Sequence, residues 1–209
     1  GTYQITSGSE LAWLAQEVNA GRGASYNAVL CNDIDLGNEN WTPIGKSSYS
    51  YQYKGTFDGQ GYEIKNLKID STSSDQALFG YVNGGTVKNL TVSGSVKGGN
   101  STAGIVANFG GTGGTVSGCI NKAAVNGGNA TGGVVGKIST SGGTVTQCAN
   151  LGAITGNNQV GGIVGYAYYK VTVSSCYNRG AIEATVSKAG GIVGHMDDGG
   201  AKFSNCYTT

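Results

Sequence analysis

A short apolar motif recurs at a fixed interval along the second half of the chain. The segments AGIVA, GGVVG, GGIVG and GGIVG place Ile105, Val134, Ile163 and Ile192 at steps of 29 residues. Leu78, in ALFGY, holds the same place one interval earlier. A fixed period of about 20 to 50 residues is typical of chains built from stacked structural units. The repeat therefore restricts the possible folds more than any single motif does.

Two further residue types follow the same period. Four cysteines recur at intervals of 28 to 30 residues: Cys119, Cys148, Cys176 and Cys206. Three asparagines recur beside them: Asn121, Asn150 and Asn178. Within each period, three short apolar segments rich in β-branched residues are separated by Gly, Asn and Ser, which are strand and turn signals.

These patterns predict an all-β fold, a right-handed parallel β-helix with about 29 residues and three strands per coil. Stacked coils bring equivalent side chains about 4.8 Å apart, so the asparagine column is expected to form a hydrogen-bonded ladder. The 39 glycines among 209 residues fit this prediction, because a solenoid needs many tight bends.

The N-terminal part of the chain lacks the repeat and carries a helix signature. Ser7 and Glu10 form a capping box, apolar residues follow at helical spacing, and Gly21 is a stop signal. We expect a helix at Ser9–Ala20 that covers the open end of the β-helix.

We divide the chain into three parts of one continuous domain. Residues 1–26 form the cap with its helix, residues 27–76 form irregular first coils, and residues 77–209 form the regular coils. The segment Lys46–Lys54 is interpreted as a loop inserted in the irregular coils.

Composition excludes several classes of function. Thirteen Lys and Arg against 12 Asp and Glu give a net charge of +1, and no basic cluster offers a surface for nucleic acid. No stretch is apolar for long enough to insert in a membrane. We expect a monomer that needs no cofactor and no metal, and the chain is interpreted as a processed or excised piece of a larger protein.

Catalytic constellations are sparse. The one histidine, His195, is interpreted as a solvated turn residue, since neither a zinc site nor a nucleophilic triad can be built around it. Asp33, Asp35 and Asp58 are the concentrated acidic positions before residue 70, and they would carry the chemistry of a polysaccharide-processing enzyme. A cation site formed by Asn32, Asp33 and Asp35 is a further alternative that stays open, although the spacing of a calcium loop is absent.

The cysteine count is five, so at least one thiol has no partner within the chain. The periodic cysteines occupy a position that Leu90 also fills, and we expect them to be buried free thiols that behave as small apolar residues. Stacked in-register side chains also have poor torsion for a disulfide.

Two groups of tyrosines are the candidate ligand contacts. Tyr49, Tyr51 and Tyr53 alternate in SYSYQYK, and an extended loop would present the three rings on one side. The second group follows the third GG[IV]VG segment: Tyr166, Tyr168 and Tyr169. Such rings could stack on sugars or contact a protein, or they could cover the flank of the solenoid.

The order of motifs resembles a known family. ELAWLAQEVNAG, NDIDL, W-x-PIG, GTFDGQGYEIKNLKI, ALFGYV, TVKNLTV and repeated GGIVG are similar to bacterial surface proteins that contain the GLUG motif. That motif is found in adhesins and in non-catalytic N-terminal regions of IgA-specific metallopeptidases. The segment AGIVA departs from the pattern, since it lacks two of the usual glycines.

The resemblance implies a parallel β-helix in a secreted or wall-anchored bacterial protein. We expect a non-enzymatic adhesin or rigid stalk that contacts a host glycan or glycoprotein, or neighbouring domains of the same large surface protein. The alternative is a polysaccharide lyase or hydrolase on the same fold, which the fold by itself neither requires nor forbids.

Overall fold

The chain winds into coils whose strands pair in parallel with those of the coils before and after. The computed structural model describes residues 1–140, 142–168, 170–197 and 199–209. Val116 pairs with Val87 on one side and with Val145 on the other, and the same relation recurs on each face. The predicted parallel β-helix is therefore confirmed, with coils about 29 residues apart.

The described strands lie in three sheets, which form three faces of the solenoid. The first face contains Thr2–Ile5, Asn27–Leu30, Thr56–Asp58, Thr86–Lys88, Thr115–Ser117, Thr144–Thr146, Thr172–Ser174 and Lys202–Ser204. The second face contains Ile34–Asp35, Glu63–Asp70, Thr91–Lys97, Thr102–Ala103, Ile120–Asn121, Ala124–Asn126, Asn129–Gly132, Ala149–Asn150, Ile154–Gly161, Tyr177–Asn178, Ile182–Gly190 and Tyr207–Thr208. The third face contains Phe79–Asn83, Val106–Gly110, Val135–Ile138, Val164–Ala167 and Val193–Met196.

The three predicted segments of each coil correspond to these three faces, but the second segment is more broken than expected. In one coil it is divided into Ile120–Asn121, Ala124–Asn126 and Asn129–Gly132. Its pairing also shifts register between Gly156 and Asn158. Such irregularities bend a strand locally, so this face follows a curved path around the core.

Apolar columns fill the interior. Ile105, Val134 and Ile163 are fully buried one above another, as the repeat predicts. The cysteine column lies beside them, with Cys119, Cys148 and Cys176 buried and Cys206 partly exposed in the last coil. The five cysteines are free thiols in the structure.

The helix extends over Gly8–Asn19, one residue earlier than expected at each end. The Ser7 side chain accepts a hydrogen bond from the Glu10 amide, and Gly21 follows the helix with a φ of 79°. The buried side of the helix consists of Leu11, Leu14, Ala15 and Val18. The helix packs on the core through these residues, as predicted for a cap. In the described part of the chain, no helix has the length and apolarity to cross a membrane.

Candidate functional site

The first tyrosine group does not form the common face that alternation predicts. Tyr49–Tyr51 is a 3-10 helix, so the segment is not extended. Tyr53 is completely buried, its ring centroid lies 5.4 Å from that of Phe79, and its hydroxyl donates to the Tyr26 carbonyl at 2.8 Å. The expected exposure of Tyr53 is therefore wrong, because its backbone pairs with Val82 and turns the ring into the core.

Tyr49 and Tyr51 remain accessible, with exposed fractions of 71% and 38%. The Lys54 ammonium nitrogen lies 3.6 Å from the centroid of the Tyr49 ring and covers one of its faces. This contact is a cation–π interaction at an exposed site. A ligand role for Tyr49 and Tyr51 stays a prediction.

The second tyrosine group reaches a groove on the third face. Tyr166 pairs in register with Lys137 of the preceding coil and with His195 of the following coil. Tyr168 is half-buried just after the strand Val164–Ala167. Tyr169 lies outside the described residues.

The third-face groove has a volume of about 390 Å³ and is lined by two rows of residues. One row is Lys137, Tyr166 and His195, which stack along the solenoid axis. The other row carries the side-chain amides of Asn100, Asn129 and Gln159. We use the name third-face groove for this site.

The amide row depends on a bend that recurs in every regular coil. Ser101, Ala130 and Gln159 adopt left-handed conformations with φ between 54° and 58°. Each bend follows an asparagine, and the amide N–H of Asn129 donates to the Asn100 side-chain oxygen at 2.9 Å. The bends thus place the side chains of Asn100 and Asn129, one repeat apart, along the edge of the groove, and Gln159, the bend residue of the next coil, continues the row.

Stacking within the column determines what Tyr166 can offer a ligand. Its ring centroid lies 5.8 Å from that of His195, and the Lys137 ammonium nitrogen lies 5.6 Å from it on the adjacent coil. Side chains of the two neighbouring coils therefore lie next to the Tyr166 ring, one on each side along the solenoid axis. The Tyr166 hydroxyl donates to the Asp197 carboxylate. Tyr166 is thus placed for hydrogen bonding rather than for stacking on a sugar.

The ionisable groups of the groove are constrained by burial and by one another. Burial, followed by the hydrogen bond to Asp197, raises the pKa of Tyr166 to about 12. Asp197 also lies 3.7 Å from His195 Nε2. Next to the groove, burial raises the pKa of Asp75, while Asn108 and Lys137 oppose that shift.

His195 is not the solvated turn residue that the sequence suggests. It lies within the strand Val193–Met196 and is half-buried against Tyr166. The reason is its register, because position 195 continues the column of Lys137 and Tyr166. Lys137 and the amide-bearing residues Asn100, Asn129 and Gln159 were not among the site residues predicted from the sequence.

Each candidate catalytic carboxylate is engaged by a neighbouring side chain in an ion pair or a hydrogen bond. Asp33 accepts from the Lys65 ammonium at 2.7 Å, and Asp58 lies 3.1 Å from that of Lys88. Asp35 accepts from the Asn66 side chain and from the Gly37 amide, each at 2.8 Å.

The pKa values of the three carboxyls follow from these contacts. The Lys65 bond lowers the pKa of Asp33, and the Asn66 bond lowers that of Asp35. For Asp58, partial burial acts in the opposite direction, but its hydrogen bonds and Lys88 leave the pKa below its usual value. The three carboxyls are therefore ionised near neutral pH, unlike a general acid, whose pKa must be raised.

The segment around Asn32 is closed by its own hydrogen bonds. The Asn32 side chain donates to the Thr6 carbonyl at 3.1 Å and to the Asp33 carbonyl at 2.6 Å. Across the described ranges, no three His, Cys, Asp or Glu side chains come together as a metal site would require.

Comparison with known proteins gives a likeness at the level of the fold. No family model matches the chain, and no curated protein matches it. One solved structure, that of a protein described as a "putative immunoglobulin A1 protease from Bacteroides ovatus", is similar to it with a TM-score of 0.67. The identity is 18%, and the alignment covers 99% of this chain and 75% of the other. The two proteins share the parallel β-helix architecture, and the GLUG resemblance rests on the sequence motifs alone.

Proposed function

We propose that this chain is a non-catalytic segment of a secreted or wall-anchored bacterial surface protein, which displays the third-face groove to a host glycan. The groove carries the proposal because its two rows combine amide groups with the Lys137 ammonium and the Tyr166 hydroxyl. Carbohydrate hydroxyls need donors and acceptors in fixed positions, and these side chains supply both.

The solenoid supplies the rigidity that such recognition requires. Lys137, Tyr166 and His195 are carried by strands paired on both sides or packed on the core, not by free loops. A ligand therefore meets preorganised groups, which reduces the entropy lost on binding. Repeated coils also extend the surface along the axis, so several weak contacts can act together.

Two observations favour a non-catalytic role. The candidate carboxylates Asp33, Asp35 and Asp58 are held by hydrogen bonds or ion pairs with neighbouring groups and have lowered pKa values. The similarity to a protein described as a protease is one of fold, and fold does not determine activity. A stalk role remains part of the proposal, because the same stack of coils would also hold neighbouring domains of the surface protein apart.

A glycan array followed by titration calorimetry tests the proposal. Lys137→Ala and Tyr166→Phe remove an ammonium and a hydroxyl from the groove, and each is expected to weaken binding about tenfold. Tyr62→Phe is the matched control, because Tyr62 is exposed outside the groove. It should bind like the wild type.

Failure has two distinguishable forms. If no glycan binds, the chain is a spacer and the adhesive role is wrong. If a glycan binds equally well to Lys137→Ala and Tyr166→Phe, the site lies elsewhere. Loss of binding in Tyr49→Ala or Tyr51→Ala would then place it at the 3-10 helix.

A further inference from the structure

A second and larger groove lies beside the cap and shares no lining residue with the third-face groove. It has a volume of about 870 Å³ and separates the helix Gly8–Asn19 from the segment 35–46. We call it the cap groove. Its volume falls within the range of about 300 to 1,000 Å³ that is common for binding sites.

Apolar side chains form the floor of the cap groove. Ala12 and Ala15 line it from the helix, and Leu36 and Trp41 line it from the opposite side. Ala12 and Leu36 are only partly buried, so the floor is accessible. The small helix residues leave room for the side chains of a ligand.

Hydrogen bonds fix the two walls relative to each other. The Asn19 side chain donates to the Pro43 carbonyl and accepts from the Gly45 amide, both at 2.9 Å. Trp41 is held by its indole N–H, which donates to the Leu78 carbonyl at 3.1 Å. These hydrogen bonds hold the groove in one shape.

Charges of opposite sign mark its two ends. Asp35 lies at the start of the helix, where its carbonyl oxygen would be 3.3 Å from a Cβ atom on Gly8, and Glu39 lies in the turn that follows. At the other end, the Lys46 ammonium is 3.5 Å from the Asn19 carbonyl, and Arg22 follows the helix.

Asp35 is a fixed negative charge at its end of the groove. The hydrogen bond from Asn66 keeps the pKa of Asp35 below its usual value, so the carboxylate is ionised at neutral pH. Arg22 forms an ion pair with Glu17. Lys46 is therefore the principal cation at the opposite end of the groove.

We infer that the cap groove binds an extended peptide segment of a partner protein, with a basic residue at the Asp35 and Glu39 end, apolar residues over the floor and an acidic residue at the Lys46 end. The 12-residue helix is about 18 Å long, which matches about five residues of extended chain. A peptide carries opposite charges and apolar side chains in one molecule, whereas a neutral glycan has neither.

Fluorescence anisotropy with synthetic peptides tests this inference. The probes are labelled peptides of about seven residues with alternating Leu and Ala between an Arg at one end and a Glu at the other, made in both sequence orders, and a neutral version with Gln at both ends. One charged order is expected to bind at least about tenfold more tightly than the neutral peptide.

Three variants of the full chain locate the site. Ala12→Arg places a long side chain over the floor and should abolish binding. Lys46→Glu should weaken binding about tenfold, and a peptide with Arg at both ends should restore it. Lys202→Glu, an equal change of charge on an exposed residue of the last coil, should have no effect.

The inference is overturned if neither charged peptide binds at up to about 1 mM, or if the neutral peptide binds equally well. It is also overturned if Lys202→Glu weakens binding as much as Lys46→Glu, because attraction would then depend on net charge alone. These outcomes do not bear on the third-face groove, whose variants lie in other coils.

Discussion

The side-chain amide of Asn150 donates a hydrogen bond of 2.7 Å to the side-chain oxygen of Asn178 in the next coil. Asn121 makes the equivalent bond to Asn150 at 2.8 Å. The same amide nitrogen of Asn150 also donates to the Gly152 carbonyl at 2.9 Å. Each rung of this buried ladder therefore joins two coils and supports a turn within its own coil.

Replacing a central rung should destabilise the whole stack. Asn150→Ala removes the buried hydrogen bonds that join Asn150 to Asn121, to Asn178 and to the Gly152 carbonyl, and it creates a small cavity. The free energy of unfolding should fall by about 2–4 kcal/mol, as measured by urea denaturation. Asn126→Ala, at an exposed position of the same face, should change it by less than about 0.5 kcal/mol. Equal losses in the two variants would contradict a structural ladder.

The glycines beside the ladder allow the coils to approach closely. A Cβ atom on Gly133 would lie 2.2 Å from the Gly162 carbonyl oxygen and 2.4 Å from the Asn150 side-chain oxygen. Gly133→Ala should therefore lower the free energy of unfolding by about 3 kcal/mol or more. At Gly113, where φ is 79° and the surrounding space is open, alanine should cost only about 1 kcal/mol of backbone strain. Similar losses at both glycines would show that close packing at Gly133 is unimportant.

The parts of the fold that were predictable are those that repeat. The regular spacing of apolar residues and asparagines predicts the buried columns, because a stacked core places the same type of residue at the same position in each coil. The buried state of Tyr53 was not predictable, because it belongs to an irregular coil whose register the repeat does not define.

The candidate site was less predictable than the core. Tyr166 stood out as an aromatic residue in a polar position, but Lys137 and His195 share its column without sharing its chemistry. Outward columns tolerate different side chains, so their spacing alone carries no signal. The amide row depends on left-handed bends at Ser101, Ala130 and Gln159, and these residue types do not predict such a conformation.

The thiols should differ sharply in reactivity. Cys31 is exposed, whereas Cys119, Cys148 and Cys176 are buried. The hydrogen bond with Cys119, together with burial, raises the pKa of Cys148, and contact with Cys148 and burial raise that of Cys176. Partly buried Cys206 also has a raised pKa because of desolvation.

Ellman titration of the native protein should therefore show one rapid thiol, a slower one at Cys206 and three that resist the reagent. The Cys31→Ser variant should lose the rapid phase. After denaturation without reductant, all five thiols of the wild type should react with the reagent, because the sequence contains five cysteines. Fewer than five would reveal a disulfide.

The stability of the protein should change with pH in the acidic range, because folding lowers the pKa of Glu10 in the cap. Its carboxylate accepts from the Thr6 amide at 2.6 Å and from the Thr6 hydroxyl at 2.9 Å. The bond from the Thr6 backbone is the largest reason why the pKa of Glu10 lies below its usual value of 4.5. A carboxyl whose pKa is lowered by folding stabilises the protein above its unfolded pKa and loses that effect as the pH falls through its folded pKa.

Thermal unfolding of the wild type and of Glu10→Gln between about pH 7 and pH 3 measures this contribution. The wild type should melt at the higher temperature from pH 7 down to about pH 5, because only the charged carboxylate interacts fully with the Thr6 amide and the positive end of the helix. The difference should close as the pH falls below about 4.5, when Glu10 becomes protonated in the unfolded and then in the folded chain. Glu183→Gln, at an exposed position of the last long strand, should follow the wild type over the whole range. A difference between wild type and Glu10→Gln that persists unchanged at pH 3 would show that the cap depends on the shape of the side chain and not on its charge.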